Sequence, residues 1–272
     1  MTDFLQKMAL ASRERAESLP TSYSSELLDG PVFPLQFDCF DIIAEVKDLS
    51  PSEGELNLDG KDRKSRASEY TQGGAAAISV LTEPMQFSGD INHLKEIVHF
   101  VSDKGMPVMR KDFLVDMKQI LETRVSGASG VLLITAILSD KELQQMLDCC
   151  YEHSLFVLLE SFNIDDVKRS SKLLKIPRYS DRAVKGDLLF GINSRNLRNL
   201  EVDIKRLDIL SSHLPEDAIW VAESGISNTN DVANLADLGY SMALVGTALM
   251  KSEDPSGLIS EMLDVGREVI RQ

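Results

Sequence analysis

Lys47 and Lys111 each stand where a short apolar run ends. Lys47 closes Ile42-Ile43-Ala44-Glu45-Val46; Lys111 follows Met106-Pro107-Val108-Met109-Arg110 and opens Lys-Asp-Phe. An ammonium in such a place holds an anion or delivers a proton, because an unpaired buried charge is costly. Glu45 precedes Lys47 by two, so on an extended strand both point to one face. Glu160, Asn193 and Glu223 end three more apolar runs, with Arg195 just beyond the second. Lysines and glutamates around one mouth push each other's pKa values apart, which suits acid and base work. For Glu45 and Lys47 alone, an ion pair closing a barrel top is an equal reading. Adding Lys111 and Glu160 favours chemistry.

Two turns point to a second kind of site. Ser224-Gly225 and Gly246-Thr247 follow consecutive apolar runs. Glycine lets a backbone approach closely, hydroxyls add donors, and a helix N-terminus beyond faces an anion. Either alone reads as an ordinary glycine turn; together they indicate phosphate. Ser50-Pro51-Ser52-Glu53-Gly54 after Lys47 reads as a small-ligand loop, and Phe113 as core or the wall of an aromatic site.

Eight β-like runs must position these residues: 41–47, 76–81, 107–111, 130–135, 155–160, 188–193, 219–223 and 242–246. Most are continuous in Val, Ile, Leu and Ala, as strands buried on both faces are. Stretches of helical period lie between them, at 61–72, 91–104, 117–126, 140–152, 164–174, 205–214 and 229–238. This alternation predicts a (β/α)8 TIM barrel, for which ~250 residues is usual, with active residues at the C-terminal strand ends. A doubly wound sheet would have fewer strands and a glycine-rich first turn. Residues 1–40 precede the pattern: Phe4, Leu5, Met8 and Leu19 predict an amphipathic helix, then a Pro/Ser-rich connector, forming an N-terminal helical extension that caps the barrel or borders its mouth. Residues 41–272 form the catalytic barrel, and the whole is expected to be one domain. Residues 175–187 read as a polar insertion emerging at the stability face.

The chain has 272 residues, 43% of them apolar, and a net charge of −14. That charge argues against nucleic acid and anionic membrane surfaces, though not against an anionic metabolite in a locally basic pocket. Cys39, Cys149 and Cys150 form no CxxC pair, so neither a disulfide framework nor a zinc site is expected, and a reducing cytoplasm is the natural compartment. The N-terminus lacks a basic and apolar leader, and no apolar run approaches the ~20 residues of a membrane span. His93, His99, His153 and His213 fall on helices or their ends without metal-ligand spacing; Cys149-Cys150 and Trp220 read as packing.

The strand-end segments resemble indole-3-glycerol phosphate synthase. They are Ile-Ile-Ala-Glu-Val-Lys-x-x-Ser-Pro-Ser-x-Gly (42–54), Gly-Gly-Ala-Ala-Ala-Ile-Ser-Val-Leu-Thr-Glu (73–83), Arg-Lys-Asp-Phe (110–113), Gly-Ile-Asn-Ser-Arg-Asn-Leu (191–197), Val-Ala-Glu-Ser-Gly-Ile (221–226) and Leu-Val-Gly-Thr-Ala-Leu-Met (244–250). The resemblance covers roughly residues 40–250 in order. It implies ring closure of 1-(2-carboxyphenylamino)-1-deoxyribulose 5-phosphate, with loss of CO2 and water, in tryptophan biosynthesis and without cofactor or metal. Lys111 would then be the general acid at the ribulose carbonyl. Lys47 would pair with the departing carboxylate and assist proton transfer in dehydration, and Glu160 would act as base or stabilise the cationic ring intermediate. The resemblance leaves open how the two lysines divide acid and base duties. Glu45, Asn193, Arg195 and Glu223 would orient lysines and sugar hydroxyls. Ser50, Ser224, Gly225, Gly246 and Thr247 would surround the phosphate, and Phe113, Leu132 and Leu244 would hold the aromatic ring. A monomer is expected, with a dimer as the alternative.

Three features depart from the family pattern. Glu160-Ser161-Phe162 stands where Glu-Val-His is common, Lys118 where tyrosine is usual, and the 175–187 insertion separates Glu160 from Asn193. They mark a divergent member and remove no catalytic position. The residues alone also allow a phosphosugar isomerase, a Schiff-base aldolase, or a barrel kept for binding.

Overall fold

The computed structural model describes residues 4–50, 54–56, 60–195, 201–215 and 218–271. Eight strands close a barrel: β1 Asp41–Val46, β2 Ala77–Leu81, β3 Val108–Lys111, β4 Gly130–Ile134, β5 Phe156–Ser161, β6 Leu188–Asn193, β7 Ile219–Glu223 and β8 Met242–Val245. Every neighbouring pair is parallel, and β1 joins both β2 and β8. The order follows the sequence, as expected of a (β/α)8 barrel.

Alternation along each strand sorts residues inward and outward. Ile43, Ala77, Met109, Leu132, Phe156, Leu158, Leu189, Val221, Met242 and Leu244 share one apolar cluster inside the barrel. Ile42, Ala44, Val46, Val131, Leu159, Phe190, Trp220 and Val245 belong to a second, between strands and helices. Steps of two along the inward set reach Glu45 and Lys47, Lys111, Glu160, Asn193, Glu223 and Gly246. The candidate site is therefore the top layer of the barrel's interior stack. Trp220, on the outward set, packs 5.1 Å from the Phe190 ring, the packing role its position predicts.

Local signals start the helices. Asp116 with Gln119, Ser139 with Glu142 and Asn228 with Asp231 form capping boxes for α6 Met117–Val125, α7 Asp140–Glu152 and α11 Thr229–Asp237. Cys149 and Cys150 are buried on α7. Asp62 caps α3 Arg63–Gln72, Glu83 caps α4 Pro84–Phe87, Asp90 caps α5 Ile91–Val101 and Asn163 caps α8 Ile164–Ser171, whereas α10 Lys205–Ser211 starts without a side-chain cap. No described helix is long and apolar enough to cross a membrane.

Two regions differ from or refine the expectation. The 175–187 stretch holds a helix, α9 Pro177–Val184, where sequence indicated only a polar insertion. Pro177 opens it, and Tyr179 and Ala183, four apart, are buried. The polar composition is that of the opposite face. The N-terminal extension contains α1 Phe4–Glu17 and a short turn, α2 Ser25–Leu28. Met8 of α1 joins the inner apolar cluster, and the Phe4 ring meets the Phe113 ring edge-on at 6.1 Å. From there the connector descends the barrel: Arg124 donates to the Gly30 carbonyl, and the Phe33 amide to Ser129 Oγ at 3.0 Å, just before β4.

Candidate active site

Each lysine at the mouth is met by carboxylates. Lys47 Nζ lies 2.7 Å from Glu45 Oε1. Lys111 Nζ lies 3.2 Å from Glu223 Oε2 and 3.4 Å from Glu160 Oε2. Asn193 Nδ2 donates to Glu160 Oε2 at 3.0 Å, and Asn193 Oδ1 accepts from the Arg195 amide at 2.9 Å. Burial alone would lower the Lys111 pKa, but Glu223, Glu160 and Glu45 outweigh it and push it up. Burial would likewise raise Glu45, but Lys47, Lys111 and Arg195 hold it below the ordinary glutamate value. Burial first, then the Glu160 charge, pushes Glu223 well above that value.

Two glycines make room for these groups. A Cβ on Gly191 of β6 would run into Glu223 Oε1. A Cβ on Gly246 would run into Glu45 Oε1 and Lys47 Nζ. Side chains at either position would displace the charged layer above the apolar interior.

The loop after Lys111 is locked by Asp112, whose side chain is fully buried. It accepts from Arg15 at 2.7 Å, Arg110 at 3.1 Å, Thr82 Oγ1 at 2.8 Å and the Phe113 amide at 2.8 Å. Burial would raise its pKa; Arg110 and Arg15 hold it low. Arg110 extends the network to Thr82 Oγ1 at 3.0 Å and Glu122 at 2.7 Å. Gln119 reaches Ser12 Oγ at 2.8 Å, and Lys118 reaches the Ala16 carbonyl at 3.2 Å. Lys118, the departure from the family's tyrosine, thus satisfies an end carbonyl of α1.

The mouth opens into two lobes. One is a cavity of about 580 Å³ that includes Ser224, Gly225, Ser227, Gly246 and Thr247 in its wall. The other is a slot of about 70 Å³ whose apolar wall is Leu81, Phe87, Phe113, Leu132 and Ile134. Glu45, Lys47, Lys111, Arg195 and Ser224 line both and mark the seam. Ser224 and Gly225 are both left-handed, at φ 68° and 79°. Ser194 Oγ donates to the Ser224 carbonyl at 2.9 Å and holds that turn. Gly246 caps α12 Thr247–Lys251 with no side-chain acceptor, leaving first-turn amides available to an anion.

Most residues singled out from sequence meet here. Glu45, Lys47, Lys111, Asn193, Arg195 and Glu223 share the seam or its immediate wall, and Glu160 lines the slot. Ser224, Gly225, Gly246 and Thr247 line the large lobe; Phe113 and Leu132 line the slot. Leu244, expected beside the ring, lines the large lobe, because inward alternation on β8 aims it under Gly246. The side chain of Ser50 and residues 51–53 of its loop lie outside the described residues. Sequence reasoning missed Leu81, Phe87 and Ile134 in the slot, and Arg15, Asp112 and Gly191 behind the lysine. Ile134 was findable, being two beyond Leu132 on one strand. Arg15 had no signal, since its partner lies 97 residues away.

Proteins similar to this chain point to one family. The family model for indole-3-glycerol phosphate synthase matches residues 36–262. The indole-3-glycerol phosphate synthase of Streptococcus sanguinis is 37% identical over 258 residues, covering 94% of this chain and 92% of that protein. That of Streptococcus pneumoniae strain Taiwan19F-14 is 37% identical over 225 residues, covering 83% and 82%. A multifunctional tryptophan biosynthesis protein of Schizosaccharomyces pombe is 36% identical over 232 residues, 84% of this chain and 29% of that one. Among solved structures, 3-hexulose-6-phosphate synthase from Salmonella typhimurium superposes with a TM-score of 0.61 at 16% identity, covering 85% of this chain and all of that one, a likeness of fold alone. The chain belongs to the indole-3-glycerol phosphate synthase family.

Proposed function

We infer that the chain closes the indole ring of 1-(2-carboxyphenylamino)-1-deoxyribulose 5-phosphate, a carboxy-lyase reaction of tryptophan biosynthesis that releases CO2 and water. The observation that supports it is the two-lobed mouth with both lysines on the seam. The aromatic ring enters the apolar slot. The ribulose chain runs through the large lobe, and its phosphate meets Ser224, Gly225, Gly246 and Thr247. Ser50 is proposed to add a hydroxyl there. The ribulose carbonyl then lies at the seam.

Lys111 donates its proton to the carbonyl oxygen as the ring carbon attacks. Its carboxylate company keeps it an ammonium, and the alkoxide developing at the carbonyl is a stronger base than those carboxylates. A Schiff-base role would need the opposite tuning, a lysine kept neutral. Lys47 exchanges Glu45 for the carboxylate that departs as CO2. Glu160, oriented by Asn193, acts as base in the loss of water; Arg195 and Glu223 position the sugar hydroxyls and Lys111. Phe113 and Leu132 hold the ring, and Leu244 supports the polar lobe from beneath. Fixing ring against carbonyl contributes through proximity. A reducing cytoplasm fits the three free cysteines, and we propose a monomer there.

The test is to supply the carboxyphenylamino-ribulose phosphate and follow indole fluorescence. Folded native protein is expected to give signal, and a silent native protein overturns the reading.

A further inference from the structure

Glu45, Glu160 and Glu223 meet Lys47 and Lys111 at the mouth, whose walls also carry Asp112, Arg195 and Lys251. Glu45 takes Lys47 at 2.7 Å. Among the described residues, the ion pairs of Glu160 and Glu223 both go to Lys111, at 3.4 and 3.2 Å. Their side chains are 2% and 1% exposed, so water screens neither. One oxygen of each touches the same Lys111 nitrogen, so the two carboxyls stand side by side. Two carboxylates crowded on one ammonium repel each other, and a shared proton relieves the repulsion.

The surroundings are unequal. Glu160 Oε2 accepts from both Asn193 and Lys111. Glu223 Oε1 accepts from no described group, so ionising Glu223 leaves a buried charge half-solvated. Gly191 supplies the space in which that oxygen sits. Arg195, a further charged neighbour, stands beyond Asn193 at the seam.

We propose that Glu160 and Glu223 share one proton, resident on Glu223, and that this pair drives the loss of water in the second half of the reaction. The inference rests on the reaction assigned above. After ring closure and CO2 loss, the intermediate carries a hydroxyl on the carbon that was the carbonyl. The C–O bond breaks with its electrons going to oxygen, and the shared proton joins that oxygen to make water. The nitrogen lone pair stabilises the resulting cation. The pair, now doubly anionic, removes a proton from the carbon beside nitrogen, and those C–H electrons form the ring double bond. One proton leaves the pair and one returns, so the pair is restored; the proton that Lys111 gave to the carbonyl oxygen is replaced from water before the next turnover. The upward push on Glu223 noted above agrees with this arrangement.

The test combines infrared spectroscopy with rapid-quench mass spectrometry. Wild-type protein at neutral pH is expected to show a protonated-carboxyl stretch that shifts in D2O. Glu223→Gln removes it, because the proton's residence is gone. Glu160→Gln removes it too, because Glu223 then faces Lys111 without a rival anion and ionises. An isolated neutral carboxyl elsewhere survives both substitutions. With substrate, Glu223→Gln is expected to lower indole formation about 10²-fold, while a species one water heavier than product accumulates. Absence of the stretch in wild type, its survival in either variant, or arrest at unreacted substrate in Glu223→Gln overturns the proposal. If Glu223→Gln does not fold, the stretch in Glu160→Gln decides alone. A wild type that makes no indole yet shows the expected stretches refutes the assigned reaction and leaves the shared proton standing.

Discussion

Lys47 and Lys111 line one cavity and keep different company. Lys47 is matched by one carboxylate at 2.7 Å, a neutral pair that a substrate carboxylate can open by exchange. Lys111 is held by two, at 3.2 and 3.4 Å, with a buried aspartate network fixing the next residue. The first arrangement suits binding; the second suits holding a proton at a fixed point. On the roles proposed above, surrounding charge, more than residue type, divides the labour.

The sharpest break of this comparison is Lys111→Ala. Indole formation is expected to fall about 10²–10⁴-fold, the usual worth of positioned proton transfer, with an unchanged far-ultraviolet circular dichroism spectrum. Lys47→Ala is expected to act through binding, losing roughly 1.5–3 kcal/mol of a charged hydrogen bond, or ~10–10²-fold, mostly in KM. Equal kcat losses in the two variants would erase the distinction.

The two glycines separate the clusters more finely. Gly191→Ala pushes on Glu223 and is expected to lower kcat about tenfold, as ~1–3 kcal/mol of overpacking would. Gly246→Ala pushes on Glu45 and Lys47 and is expected to raise KM instead. Steady-state kinetics on the pair reads the split.

The smallest effect is expected from Arg15→Ala, which leaves Asp112 with Arg110, Thr82 and the Phe113 amide. Activity should fall only a few-fold, by ~1 kcal/mol for a partly exposed pair. The pH response is more telling. Asp112 is held below the ordinary aspartate pKa, so it adds stability above the unfolded value near ~4, and that stability is lost as pH falls through the folded value. Removing Arg15 narrows that window, and the acid unfolding midpoint should move up. An unmoved midpoint in an acid titration followed by circular dichroism would count against the Asp112 network.

The barrel and its charged rim were legible because strand alternation is local. Glu45, Lys47, Lys111, Glu160, Asn193 and Glu223 each end an apolar run in inward phase, so their meeting follows from closure of the sheet. What stayed hidden depends on partners distant in sequence or on shape. Asp112 looked like a loop residue until Arg15, Arg110 and Thr82 converged on it. Gly246 read as a phosphate turn, and its second duty, clearing space for an ion pair, needs the neighbouring strand. In α9 the buried Tyr179 and Ala183 were outnumbered by polar neighbours, so only packing exposed the helix. Leu244 lines the large lobe and not the slot, a choice its strand phase leaves open because it says inward and not toward which neighbour.

The grip of α1 on the loop after β3 bears on how the chain is made. Arg15 and Ser12 are translated 97 and 107 residues before Asp112 and Gln119, the groups that seat them. At ~5–20 residues per second, the helix waits several seconds on the ribosome with Phe4, Leu5 and Met8 unsheltered. Its docking follows the first three strands, so the nascent enzyme acquires its mouth from the wall inward.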